Sequence, residues 1–186
     1  MRTSAILLFC TALASAEVKM CPLGPAAAAA PMIPGNPPGA TYKAHLKKGS
    51  ATGTVTLSSA CMGVNVELKL KLPKEGAPFM YHIHDKPVPM VIIKDGNCTG
   101  TAAHFDPYAI SANCMCDKAK KEFCQIGDLS GKAGNITVGG EVNTSFNDMF
   151  VSLKPGDKAF VGDKSVVVHS FDNKRIACAN LMQSKM

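Results

Sequence analysis

The chain has 186 residues, 46% of them hydrophobic; this size and composition fit one domain with a buried core and exclude a disordered polyelectrolyte. Lysine and arginine number 20 against 14 acidic residues, for a formal net charge of +6. No long basic run occurs, so nucleic acid binding is not expected. Eight cysteines are typical either of a disulfide-stabilised secreted protein or of a metal-binding one.

Residues 1–16 have the pattern of a secretory signal peptide. Arg2 supplies a positive charge, Ala5 to Leu13 form a short apolar stretch, and Ala14-Ser15-Ala16 is a small-residue cleavage site. The apolar stretch is too short to span a bilayer, and we expect neither a later membrane span nor a glycolipid anchor. The sequence therefore predicts a secreted, extracellular or cell-wall-associated protein, from which cleavage removes Cys10 and leaves seven cysteines.

The following segment, residues 17–40, is predicted to be flexible. Within it, fifteen of the nineteen residues from Pro22 to Ala40 are proline, glycine or alanine. Such a composition forms no regular hydrogen-bond ladder and buries little surface. The folded domain is expected to occupy residues 41–186.

Within that domain the hydrophobic pattern predicts β-strands. Apolar residues alternate with polar ones at Val64, Val66, Leu68 and Leu70, which is the period of a half-buried strand. Other segments with strand character are Thr52–Leu57, Phe79–His84, Ile136–Val142, Phe150–Leu153, Ser165–Phe171 and Arg175–Leu181. Short strands separated by turn-forming residues, without a convincing helix, indicate an all-β antiparallel sandwich or barrel.

Four of the five histidines are placed as metal ligands would be. His82 and His84 are two residues apart on a predicted strand, so both rings leave the same face. His169 lies in an apolar strand, where an unpaired ring is costly, and His104 lies at a turn. Converging imidazoles suit copper or zinc. Taken alone, the first two would fit a pair of surface histidines equally well, and His45 is interpreted as a bystander.

Five motifs resemble, in order, the signatures of the copper/zinc superoxide dismutase family. They are His82-Ile83-His84, Cys98 with His104-Phe105-Asp106-Pro107, Gly127-Asp128-Leu129, Val167-Val168-His169 and Arg175-Ile176-Ala177-Cys178. The resemblance runs from about Thr41 to Leu181. It implies an eight-stranded Greek-key sandwich or barrel and an enzyme that converts superoxide to oxygen and hydrogen peroxide by Cu(II)/Cu(I) cycling.

The same resemblance implies roles for individual residues. The implied copper ligands, for one copper per chain, are His82, His84, His104 and His169. Cys98 and Cys178 would form the family's disulfide, and Arg175 would be the guanidinium that guides the superoxide anion toward copper.

Two departures from the zinc-containing members point away from zinc. Gln125 and Ala112 occupy the positions of two zinc histidines, although the aspartate is kept as Asp128, and only five residues separate His169 from Arg175, where those members have a long loop. Both departures are similar to the copper-only dismutases secreted by fungi and oomycetes, so no zinc is expected. Those commonly have a glutamate in place of Gln125, whose amide oxygen we expect to accept a hydrogen bond from the ring of His104. Asp128 is expected to contact the copper ligands without binding the metal itself.

A different class of function is a secreted copper-binding protein with little or no turnover. Gln125 lacks the negative charge of a glutamate, and Cys114-Met115-Cys116 with Cys124 could act as soft Cu(I) ligands. Local disulfides are the more usual use of such cysteines outside the cell. Beyond the bridge that the resemblance implies, five cysteines remain, so at least one thiol is free, capped or intermolecular: Cys21, Cys61, Cys114, Cys116 and Cys124.

Two further features have a weaker functional signal. Asn97, Asn135 and Asn143 each begin an Asn-x-Ser/Thr triplet, which fits a secreted glycoprotein. The apolar insertion from Met90 to Ile93 suggests no mechanism.

Overall fold

The computed structural model describes residues 29–89, 98–110 and 115–184. Within these ranges seven strands form one antiparallel sheet in the order β4-β6-β7-β1-β2-β3-β5. Their bounds are β1 Thr41–Leu46, β2 Thr52–Ser59, β3 Val64–Leu72, β4 Met80–His84, β5 Gly140–Asp148, β6 Ser165–His169 and β7 Arg175–Gln183. A five-residue helix, α1 (Leu129–Ala133), and two short 3-10 turns, Cys98–Thr101 and Lys121–Phe123, lie between strands. The all-β prediction is confirmed, with seven strands in the described residues where the resemblance implied eight.

Strand β3 shows how the sequence pattern produces the core. Val64, Val66, Leu68 and Leu70 are buried, while the residues between them are exposed or half-buried. The strand pairs along its whole length with β2 on one side and β5 on the other. The predicted alternation therefore separates a core face from a solvent face, as the two-residue period of a strand requires.

Two strand predictions need correction, and one strand was not predicted. Only residues 140–142 of the predicted strand Ile136–Val142 belong to a strand, because β5 begins at Gly140. Ile136 makes only an isolated bridge to Phe79, and Val138 is 67% exposed. The sequence of β5 is mostly polar, and most of its side chains are exposed or half-buried. Phe150–Leu153 has a single bridge, from Ser152. Strand β1 is additional, and its buried side chains alternate with half-buried or exposed ones.

The expectation of a flexible segment is wrong for residues 29–40. Ile33 is buried, and its N–H donates to the Met149 carbonyl at 2.8 Å. The buried amide of Asn36 donates to the Gly63 carbonyl at 2.6 Å and accepts from the Leu153 N–H at 2.6 Å. These bonds join residues 29–40 to the β2–β3 turn and to the loop after β5. Residues 1–28, including the predicted signal peptide, lie outside the described residues.

Two disulfides lie within the described part of the chain. Cys98–Cys178 joins the first 3-10 turn to β7 across a sequence separation of 80, as the resemblance implied. Cys116–Cys124 closes a local loop with a separation of 8, so these two sulfurs are not a Cu(I) site. Cys61 is a free thiol at the surface, and Cys21 and Cys114 lie outside the described residues.

The weaker sequence features are only partly described. Asn135 and Asn143 are exposed, as glycosylation would require, whereas Asn97 and the insertion from Met90 to Ile93 lie outside the described residues. In the described ranges no helix has the length and apolar character needed to cross a membrane.

Candidate metal centre

The structure brings the four predicted histidines together. His82 and His84 project from one face of β4, His169 ends the neighbouring strand β6, and His104 forms an isolated bridge with His84. One ring nitrogen from each of the four lies within 4.8 Å of those of the other three. His45 is elsewhere, exposed on β1, with its Nδ1 3.1 Å from Thr54 Oγ1, in agreement with its interpretation as a bystander.

Three of the rings are held from outside through Nδ1. His84 Nδ1 lies 2.9 Å from the Ala102 carbonyl, and His169 Nδ1 lies 3.1 Å from the Asn173 carbonyl. His104 Nδ1 lies 2.9 Å from Gln125 Oε1, which is the hydrogen bond expected from the sequence. Carbonyl oxygens only accept, so each Nδ1 carries the proton and each Nε2 keeps a lone pair. All three rings therefore offer Nε2 as a ligand atom.

His82 is held the opposite way round. Its Nε2 lies 3.1 Å from Ser130 Oγ and 3.4 Å from Asp128 Oδ1. An ionised carboxylate only accepts, so Nε2 carries the proton and Nδ1 keeps the lone pair. That Nδ1 is buried and has no hydrogen-bond partner. Buried polar atoms without a partner are rare and costly, and a metal ion would satisfy this one.

The arrangement fits a copper ion. Nε2 of His84 and Nε2 of His169 are 3.2 Å apart, and with both protons on Nδ1 this contact brings two lone pairs face to face. A cation between them turns that repulsion into ligation. The donor set is four neutral imidazoles, three through Nε2 and one through Nδ1, and imidazole nitrogen is well suited to copper.

Burial favours the neutral form of the candidate histidine ligands. The pKa of His84 is lowered to about 3 and that of His169 to about 4, mainly by burial and with smaller contributions from neighbouring histidines and Arg175, while the hydrogen bonds to backbone carbonyls act in the opposite direction. Burial also lowers the pKa of His104. These rings are therefore neutral at neutral pH, the form that binds metal.

Asp128 and Ser130 reach His82 because α1 begins beside it. Asp128 is the N-cap of α1, and its Oδ1 accepts from the Gly131 N–H at 2.7 Å. Burial alone would raise the pKa of Asp128, but His82 and this N–H hold it below its ordinary value. Ser130, in the first turn, is 1% exposed. Sequence analysis missed Ser130, although an aspartate followed by a short helix signal would have placed it near the carboxylate.

Gly127 fixes the position of this segment. Its N–H donates to the Phe105 carbonyl and its carbonyl accepts from the Ile83 N–H, both at 2.8 Å. A Cβ on residue 127 would lie 2.1 Å from the Ile83 carbonyl oxygen, so only glycine permits this approach. Gln125, two residues before Gly127, contacts His104, and Asp128, directly after it, contacts His82.

Arg175 lies beside the cluster at the start of β7, paired in register with His169. Its Nη1 contacts the Cys98 carbonyl at 2.6 Å and Thr101 Oγ1 at 3.1 Å, and its Nη2 donates to the Ala102 carbonyl at 2.7 Å. The same Ala102 carbonyl accepts from His84. The guanidinium and the candidate ligand His84 are thus joined through one shared acceptor, the Ala102 carbonyl.

Comparison with known proteins gives a consistent result. The family description of copper/zinc superoxide dismutase matches residues 51–181. "Cell surface Cu-only superoxide dismutase 5" of Candida albicans is 36% identical over 72% of this chain and 56% of its own length. "Cell surface Cu-only superoxide dismutase" of Arthroderma benhamiae is 32% identical over 81% of this chain and 48% of its own length. The chain thus spans about half the length of these curated relatives.

A solved structure extends the likeness to the fold. The copper(II) form of superoxide dismutase 5 from Candida albicans superimposes with a TM-score of 0.67 at 33% identity, covering 79% of this chain and 94% of that one.

Proposed function

Because this chain belongs to the copper/zinc superoxide dismutase family, we propose that it is a copper-only superoxide dismutase, with one copper held by His82, His84, His104 and His169. The observation that carries the proposal is the hydrogen bonding of the four histidine rings, which leaves one nitrogen of each ring free to bind a metal. Each has one nitrogen engaged by an outer partner, so the other is left unprotonated, and one ring nitrogen from each of the four lies within 4.8 Å of those of the other three. Two relatives are named as copper-only dismutases, which supports the choice of metal.

Bound copper would supply one-electron chemistry, by which one superoxide is oxidised to oxygen and a second, with two protons, is reduced to hydrogen peroxide. The residues of this chain hold and orient the ligands. The Ala102 and Asn173 carbonyls fix His84 and His169. Ser130 and Asp128 hold the proton of His82 on Nε2. Such outer contacts set ring orientation and basicity in metal sites.

Arg175 provides a fixed positive charge for an anionic substrate. Its guanidinium is half-buried, and contacts with the turn at 98–102 hold it in place. The chain without residues 1–16 has 19 cationic and 14 acidic residues, for a net charge of +5. A fixed cation on a positively charged protein raises the encounter rate with superoxide, and salt screens the effect.

Zinc is not part of the proposed site. The two positions that would supply further zinc histidines are Gln125 and Ala112. In the structure Gln125 Oε1 accepts a hydrogen bond from His104 Nδ1, and this is the nitrogen that would have to bind zinc if His104 bridged two metals. Metal analysis of copper-loaded protein is expected to find about one copper and no stoichiometric zinc per chain; bound zinc at a ratio near one would contradict the assignment.

The proposed place of action is outside the cell. Residues 1–16 read as a secretory signal, the described disulfides suit an oxidising compartment, and four relatives are named as cell-surface proteins. Detection of the mature chain in culture medium or cell-wall extracts tests this. Retention of the uncleaved chain inside the cell would refute it.

The activity is tested by loading residues 17–186 with copper and measuring superoxide removal. His169→Ala is expected to lose activity and copper, and His45→Ala, which changes an exposed histidine away from the cluster, is the matched control. The alternative function, copper binding with little turnover, is favoured by the neutral amide of Gln125 at a position where a carboxylate is common. An intact copper spectrum with superoxide removal no faster than by buffer would select that alternative.

A further inference from the structure

The side chain of Gln125 contacts a second group besides His104, the carboxylate of Asp106, which has no role so far in the metal site. Gln125 Nε2 donates to Asp106 Oδ2 at 3.2 Å and to the Ile110 carbonyl at 3.2 Å. On its other side, Gln125 Oε1 accepts from His104 Nδ1 at 2.9 Å. Asp106, Gln125 and His104 thus form a continuous chain of hydrogen bonds from a carboxylate to a candidate ligand.

The two acceptors determine which way the amide points. An amide nitrogen has two hydrogens and no lone pair to offer, and both hydrogens are used here. If the amide were turned over, its oxygen would face Asp106 Oδ2 and the Ile110 carbonyl, and three acceptors would meet without a proton. The oxygen of Gln125 must therefore face His104, and His104 must carry its proton on Nδ1.

Asp106 is itself held rigidly. Its Oδ1 accepts from the Ile110 N–H at 3.0 Å, and its carbonyl accepts from the Ala109 N–H at 3.2 Å. The turn that Asp106 closes is the same turn that presents the Ile110 carbonyl to Gln125. One carboxylate thus provides one acceptor for the amide and fixes the other.

We propose that Asp106 is a positioning residue of the metal centre, which orients the Gln125 amide and thereby keeps His104 in the tautomer with Nε2 free for the metal. Gln125 lacks a negative charge, but Asp106 supplies one that is separated from the His104 ring by one additional hydrogen bond. This charge polarises the amide whose oxygen His104 contacts. The inference depends on the proposed function only for its effect on turnover, since the tautomer is a property of the metal-free protein.

The pair is complementary, so each member restricts the other. In Gln125→Glu a carboxylate oxygen replaces the donor and faces both Asp106 Oδ2 and the Ile110 carbonyl, which leaves acceptors unpaired and places like charges together. Asp106→Asn in the same chain restores a donor between the two side chains. The single change Gln125→Glu should therefore harm the protein, and the second change should repair it.

The first test is a double-mutant cycle on the metal-free protein at pH 7. We expect Gln125→Glu to lower Tm by about 4 °C or more, and the double variant Gln125→Glu/Asp106→Asn to return to within about 2 °C of the wild type. Asp117→Asn is the matched control, because Asp117 also closes a turn, accepting from the Ala119 N–H at 2.9 Å, and is exposed. It should not rescue Gln125→Glu. Additive effects of the two changes at 125 and 106 would overturn the proposal.

The second test reads the tautomer directly. Long-range ¹H–¹⁵N correlation spectra of the metal-free wild type at pH 7 should show His104 with about a fivefold or greater excess of the Nδ1–H form, the size of effect that one net hydrogen bond gives. Asp106→Ala should reduce that excess severalfold, with the far-UV spectrum unchanged. A purely structural role would leave the tautomer as in the wild type, and that result would overturn the proposal even if the variant proved less stable. Neither test uses dismutase activity, so failure of the proposed function would be recognised separately.

Discussion

The disulfide between Cys98 and Cys178 is expected to be the largest single covalent contribution to stability in the described part of the chain. It closes a loop across a separation of 80, while Cys116–Cys124 spans only 8. In the chain-entropy description the stabilisation grows with the logarithm of loop length, which gives about 4.5 kcal/mol for the long loop and about 2.5 kcal/mol for the short one. The difference of about 2 kcal/mol is the quantity to test, since the part of the entropy that does not depend on loop length cancels in it.

The experiment compares two double variants, Cys98→Ser/Cys178→Ser and Cys116→Ser/Cys124→Ser, by urea unfolding of the metal-free protein. Metal-free protein is needed because copper binding would add its own stabilisation. The first variant should lose about 2 kcal/mol more than the second. Equal losses, or a larger loss for the short loop, would refute the reasoning that loop length determines the contribution.

The long disulfide also has a local consequence. It anchors the turn whose carbonyls hold Arg175, and Ala102 at the end of that turn holds His84. Its removal should therefore weaken copper retention more than removal of the short one, which anchors neither Arg175 nor His84. Equal copper retention by both variants would contradict this link between the bridge and the metal centre.

Three further predictions concern buried polar side chains. Lys132→Met should cost about 3 to 5 kcal/mol in urea unfolding, because Lys132 Nζ lies 2.6 Å from Asp148 Oδ2 and both side chains are almost fully buried; Lys132→Met/Asp148→Asn should recover most of the loss, and no recovery would refute the pairing argument. The pKa values of about 3 for His84 and about 4 for His169 lie below the ordinary 6.5, so below pH 6.5 the unfolded chain binds protons that the folded chain does not. Metal-free stability should be full above about pH 6.5 and fall toward pH 4 by up to about 1.4 kcal/mol per pH unit for each ring; a flat profile between these values would contradict the assignment. Ser130→Ala should weaken copper binding about tenfold in a chelator competition, the lower end of the range for such outer contacts, and unchanged affinity would remove Ser130 from the site.

The metal centre is the part of this molecule that its sequence predicts best. The separation of His82 and His84 matches the strand period, so both rings had to share a face, and His169 had to be buried in its apolar strand. The nitrogen that each ring offers was beyond such reasoning, because it depends on partners such as Ser130, which is 48 residues from His82. The same holds for Asp106, whose contact with Gln125 joins two loops 19 residues apart.

The fold shows the same limit. The alternation of apolar and polar residues predicts strand β3, whereas β5 is mostly polar and exposed, so the apolar pattern places it incorrectly. Residues 29–40 have the composition of a flexible linker, yet Asn36 is buried and bonded to two distant backbone segments. The composition of a segment indicates whether it would be ordered in isolation, whereas the contacts that order residues 29–40 come from distant parts of the chain.

The most direct test of the account is to count how many superoxide anions one copper-loaded chain removes. Stopped-flow or pulse-radiolysis measurements at a large excess of superoxide over protein, with a chelator present to remove free copper, would give this number. The proposed function predicts many turnovers per copper and a rate that falls as ionic strength rises. Removal of at most one superoxide per copper would contradict it and identify the site as one that binds copper without dismutase turnover.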